Sequence, residues 1–172
     1  ISSADATPSQ DQLNLLLGHY QSGNFAEAEK LAISLSQQFP RHPFAWKVLG
    51  ALLRQSGRLN ESLLPMQKSV TLSPRDAEVH SNLGITLKEL GKLDEAEASY
   101  RKAIASRIGY CEAHENLAKV LRELGRIEEA IDSERYILFL RSTNIEETKK
   151  KESNDNLSFK YPSPIEYPAF YR

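Results

Sequence analysis

The 172-residue sequence predicts an all-α fold: four stacked helix–turn–helix repeats followed by a non-repeat tail. Three observations carry that prediction. Glycines stand at 23, 57, 91 and 125, an unbroken spacing of 34 residues. Each is followed two places on by an apolar residue (Phe25, Leu59, Leu93, Ile127) and two places further by a glutamate (Glu27, Glu61, Glu95, Glu129). The same interval links Leu15, Leu49, Leu83 and Leu117, the small residues Gly50, Gly84 and Ala118, and Pro40 with Pro74. A fixed period of this length marks an array whose units cannot bury their apolar faces alone and stack to do so.

The period divides the chain into a polar segment 1–8, repeats at 9–42, 43–76, 77–110 and 111–144, and a tail at 145–172. Each repeat is read as two antiparallel amphipathic helices, "SQDQLNLLLGHYQS" and "FAEAEKLAISLSQQF" in the first, with apolar residues at i, i+3, i+4 and i+7. Gly23, Gly57, Gly91 and Gly125 end the first helices, where a left-handed residue is favoured. The four glutamates then fall in the first turn of the second helices, where a carboxylate suits the helix dipole. Pro65 lies inside the second helix of the second repeat and predicts a kink.

"WKVLGALL" (46–53) and "AEASY" (96–100) followed by Ala103 resemble the two halves of the tetratricopeptide repeat pattern. That resemblance covers about four fifths of the chain and implies a right-handed α-solenoid. It also implies that Gly50, Gly84 and Ala118 sit where the two helices of a repeat cross most closely. Departures accompany it: Leu16 at the close-packing position of repeat 1, Ile108-Gly109 where the family has proline, and Glu134 where it has a large apolar residue.

The family's concave wall is formed by the second, fifth, sixth, ninth, twelfth and thirteenth positions of each first helix. The sixth position reads Asn14, Val48, Asn82, Asn116. This is similar to the repeat region of O-linked N-acetylglucosamine transferases, where asparagines at that place form a ladder. An asparagine amide offers donor and acceptor together, so it can bind the main chain of a peptide of any sequence. Rungs about 8–10 Å apart match about three residues of extended chain; Val48 interrupts them. Basic residues share the wall: Arg54, Lys88 and Arg122 at the twelfth position, Lys47 and Lys119 at the fifth and ninth. With Glu89, Glu115 and Glu123 beside them, either a solvated face or a site for a ligand with an acidic group is open. Leu13 and Leu17 stand where the tail-carboxylate clamp of another class of these repeats has Lys and Asn, so no such clamp is predicted.

Other functions find little support. A net charge of −1 from 22 basic and 23 acidic residues gives no field steering the chain to nucleic acid. No apolar run approaches the ~18 residues that span a bilayer, so a soluble protein is expected. Cys111 is the lone cysteine, read as a packing residue of a reducing, cytoplasmic chain. His80 and His114 occupy the register of Trp46 and are read as packing residues, not metal ligands; His19 and His42 have no partners at ligand spacing. No phosphate loop, nucleophile elbow or HExxH is present, so neither catalysis, metal nor cofactor is predicted for this segment.

The expected function is therefore a protein-interaction module that binds an extended peptide. Two alternatives stay open: the substrate-recruiting arm of a larger transferase, or a self-assembling scaffold that associates through residues 136–172. "LSFKYPSPIEYPAFYR" (157–172) is rich in proline and aromatics, and Tyr136, Leu138 and Phe139 have no fifth repeat to cover them. The opening at Ile1 and the stop at Arg172 suggest an excised segment with a further domain downstream.

Overall fold

The computed structural model describes the backbone of residues 7–153 and the side chains of residues 7–143. Eight α-helices follow one another among the described residues: α1 (Gln10–Gln21), α2 (Phe25–Gln38), α3 (Pro43–Gln55), α4 (Leu59–Leu72), α5 (Ala77–Glu89), α6 (Leu93–Ser106), α7 (Cys111–Glu123) and α8 (Ile127–Ser153). Ser9 opens α1 with a reciprocal capping box to Gln12, and Pro43 sits at the start of α3, where its missing N–H costs nothing.

One local device makes the turns of the array. Gly23, Gly57, Gly91 and Gly125 have φ of 77°, 78°, 75° and 78°. The residue after each glycine donates back to a carbonyl five places earlier, as Arg58 does to Leu53 and Lys92 to Leu87, both at 2.9 Å. These are Schellman closures, which a side chain at the glycine would strain. The chain reverses in three residues, so α1 lies against α2, α3 against α4, α5 against α6 and α7 against α8.

Inside each pair the helices meet across a size-matched couple. A Cβ built on Gly50 would lie 2.8 Å from Met66 Cγ, and one on Gly84 would lie 2.7 Å from Tyr100 Cε1. Met66 and Tyr100 are fully buried, filling the space that the glycines leave. Repeat 1 solves the same crossing in reverse. Leu16 is the large member and Ala32, in the register of Met66 and Tyr100, the small one; both are fully buried in one core cluster. In the last repeat Ala118 is buried, but Glu134 takes the large partner's place and turns out to a bidentate bond with Arg122.

Each pair stacks on the next, α2 on α3, α4 on α5 and α6 on α7, and α3, α5 and α7 also touch in succession. The first helices of repeats 2, 3 and 4 thus form one continuous wall. Pro65 is buried inside α4, which nonetheless runs unbroken from Leu59 to Leu72. The first residues of the segment set apart as a tail are helical: α8 continues to Ser153, well past the register at which α2, α4 and α6 end. Between Gly125 and Pro162 there is no glycine or proline to stop it, and "IEETKKKES" is made largely of good helix formers. Residues 154–172, with their prolines and aromatics, lie outside the described residues.

Candidate functional site: the inner wall

The candidate residues lie on α1, α3, α5 and α7, and the 34-residue period sets them in rows. In the asparagine row, Asn82 and Asn116 are half-buried and Asn14 is exposed, while Val48 is buried. Their bonding separates them. The Asn14 side-chain oxygen already accepts from Gln10 Nε2 at 3.0 Å. Neither the Asn82 nor the Asn116 amide makes a hydrogen bond to any described residue. An amide held half out of water without an internal partner keeps its donors and acceptor available.

The basic row is more occupied than the amide row. Lys47 Nζ lies 2.6 Å from Glu78 and 3.6 Å from Asp76, on the following repeat. Arg54 reaches Glu89 at 3.6 Å and Lys88 reaches Glu123 at 3.0 Å, again one repeat onward. Arg122 is held at 2.8 Å by Glu134 of its own repeat, which pushes the guanidinium pKa further up. Lys119 is exposed and has no ion pair among the described residues. Pairs this exposed contribute about 0–1 kcal/mol each to stability. Their larger effect is to cancel most of the positive charge along the wall.

His80 and His114 serve the array's frame. Trp46 Nε1–H donates to the Pro40 carbonyl at 3.0 Å. One and two periods later His80 Nε2 bonds the Pro74 carbonyl at 2.9 Å and His114 Nε2 the Ile108 carbonyl at 3.0 Å. A carbonyl only accepts, so Nε2 carries the proton in both rings. The His114 ring packs on Tyr136 of α8, centroids 4.8 Å apart. Burial lowers the His114 pKa from its ordinary 6.5, outweighing the Ile108 carbonyl, which favours the charged ring. The folded state therefore takes up this proton less readily than the unfolded chain. Stability is full above pH 6.5 and falls as the pH drops below it. Urea midpoints at pH 7.5 and 5 should show this loss in the parent chain and a smaller one in His114→Gln, which keeps a donor for the Ile108 carbonyl.

Comparison with known proteins places the array. Tetratricopeptide repeat family models match residues 13–77, 77–106 and 112–132. The repeats are tetratricopeptide repeats. The structure is similar to a crystal structure of MamA at 18% identity, with 83% of this chain and 84% of that chain covered and a TM-score of 0.76. It is similar to MamA AMB-1 at 24% identity, 81% and 83% coverage and a TM-score of 0.70. MamA 41-end from Desulfovibrio magneticus RS-1 superposes with 17% identity, 77% and 75% coverage and a TM-score of 0.71. At these identities the likeness is one of fold. No curated protein matched the chain in sequence.

Tetratricopeptide repeats are protein-interaction modules, and this chain is built as one. Among the described residues no helix is long and apolar enough to cross a membrane, and no group of three or more His, Cys, Asp or Glu side chains is placed to hold a metal ion. The ion pairs that tie the repeats together had a sequence signal: Arg54 with Glu89 and Lys88 with Glu123 are 35 apart, one period plus one residue. The ring-to-carbonyl bonds had one too, a ring N–H donor six residues after positions 40, 74 and 108.

Proposed function

We propose that this chain binds an extended peptide segment along its inner wall and grips it by the main chain. The observation that carries the reading is the state of Asn82 and Asn116. Both are half-buried, they share one register on successive first helices, and both are unbonded among the described residues. Neighbouring first helices stand about 8–10 Å apart, which suits one amide for every three residues of extended chain. Buried Val48 and half-buried Ala51 and Phe44 continue the wall through the second repeat without amides, so the ligand meets an apolar stretch there. Asn14 is a third, weaker rung because Gln10 competes for it.

Lys47, Arg54, Lys88 and Arg122 line the ligand's path with their acids attached, as a polar and nearly neutral rim. Lys119, one turn beyond Asn116, offers a positive charge with no partner among the described residues, and an acidic side chain of the ligand belongs there. The chain performs no chemistry in this reading: it recruits, and the reaction, if any, belongs to a partner or to another part of a larger protein. Cys111 as the lone thiol fits a reducing cytoplasm.

A fluorescein-labelled library of random 12-residue peptides tests the reading. Bound sequences should share an extended, proline-tolerant character and an acidic residue near one end, with little preference at the positions over Asn82 and Asn116. A bound set that shares an amphipathic helical pattern instead would overturn it.

A further inference from the structure

The array has two open ends, and their exposed residues occupy registers that are covered inside it. Leu15 of α1 stands in the row of Leu49, Leu83 and Leu117. Leu49 and Leu117 are buried and Leu83 half-buried, whereas Leu15, with no repeat before it, is 54% exposed. Leu138 of α8 stands in the row of Ser36, Val70 and Ile104. Ser36 and Ile104 are buried and Val70 half-buried, whereas Leu138 is 65% exposed. Beside Leu138 an open recess of about 330 Å³ is lined by Glu115, Glu134, Ile137, Leu138 and Arg141.

The charges at the two ends are altered together. Internally, Glu29 on α2 and Glu97 on α6 each reach an arginine one repeat onward, Arg58 and Arg126, at 2.6 Å. In the last repeat that glutamate is replaced by Ile131, and in the first repeat the register of the arginines holds Asn24. The wall pairs follow the same rule. Arg122 turns back to Glu134 within its own repeat, and Gln21 of α1 stands in the register of Glu89 and Glu123. At these two pairings neither end leaves a charge unanswered. The one charge α1 adds is Asp11, in the first turn. Its register inside the array is held by buried Ala45, Val79 and Ala113, so at a junction its carboxylate needs a cation; Arg141, in the last repeat, is largely exposed and holds Glu115 at 2.6 Å. Arg58 already holds two carboxylates, Glu29 and Glu61, in this manner.

We propose that copies of this chain join head to tail, with α1 of one copy laid on α7 and α8 of another as if it began a fifth repeat. Leu15 of the incoming copy packs against Leu138 and into its recess, Asn24 covers Ile131, and Asp11 joins Arg141. Such a contact is heterologous, so unless rotation closes it into a ring it extends without limit. It leaves the inner wall open and lengthens it, so it stands apart from the peptide reading.

Light-scattering mass of the full chain, followed over a hundredfold range of concentration, tests this with Leu15→Lys and Leu138→Lys. Both leucines are exposed in the single chain, and matching melting curves by circular dichroism confirm that both variants fold. The parent should grow past twice the mass of one chain as concentration rises. Each variant alone should stay a monomer, because every junction needs one intact head and one intact tail. An equimolar mixture of the two should reach twice the single-chain mass and stop there, since Leu15→Lys supplies the tail and Leu138→Lys the head of a single junction. A parent that stays monomeric overturns the proposal, as do variants that still assemble alone. A mixture that stays monomeric while the parent assembles overturns it too and points to a symmetric contact.

Discussion

Gly84→Leu is expected to destabilise the chain by about 3 kcal/mol or more, although leucine is the better helix former by nearly 1 kcal/mol. A Cβ at that position would stand 2.7 Å from the Tyr100 ring, and Tyr100 is fully buried with no room to retreat. The first repeat indicates the remedy, since there the large residue is Leu16 on the first helix and the small one is Ala32 on the second. Tyr100→Ala alone should cost about 3–5 kcal/mol through the cavity it leaves. Combined with Gly84→Leu it should cost far less than the sum, with a favourable coupling of about 2 kcal/mol or more. Urea unfolding of the four proteins measures that coupling. Additive losses would mean that the crossing is held by something other than the matched pair.

Asn82→Ala and Asn116→Ala are expected to weaken peptide binding by about tenfold each, the worth of one or two main-chain hydrogen bonds of about 1 kcal/mol apiece. Together the two should cost about a hundredfold, near abolition for a ligand of micromolar affinity. The loss should be alike for peptides of different sequence, because an amide that reads main chain is blind to side chains. Stability should hardly change, since neither amide bonds to the described residues. Asn14→Ala should cost less, its oxygen being engaged by Gln10. Lys119→Ala differs in kind and should weaken only ligands with an acidic residue at the matching end. Fluorescence anisotropy with a panel of labelled peptides resolves these cases.

Much of the architecture could be read from local chemistry repeated in register. A glycine at every thirty-fourth place has one economical explanation, a left-handed closure between two helices, and all four adopt it. Gly50 and Gly84 were placed at helix crossings by the family resemblance, against which Leu16 looked only like a departure. That its neighbour Ala32 compensates it depends on which residues face each other across a pair, a tertiary fact with no signal in one helix alone. The length of α8 was also hidden, because loss of apolar period after Arg141 looks like the end of a helix. A solvated helix needs no such period when its residues favour the helix and nothing breaks it.

The inner wall was legible in part. Its rows follow from the period, but whether a polar side chain is spent or available does not. Sequence gave Arg54, Lys88 and Arg122 as a basic stripe, and their acids were visible a period plus one residue away or in the neighbouring helix. Reaching those partners depends on the stagger of successive helices. Tyr136 was read as surplus apolar surface, whereas it packs on His114; Leu138 and Phe139 do remain exposed.

The side-chain amide signals of Asn82 and Asn116 in a ¹⁵N–¹H correlation spectrum, assigned by their loss in the alanine variants, offer the most direct view of the central claim. On titration with a peptide selected from the random library, both pairs of signals should shift together and saturate at the same ligand concentration, while amides on α2, α4 and α6 stay in place. Saturating shifts confined to those outer helices, with Asn82 and Asn116 unmoved, would contradict the account.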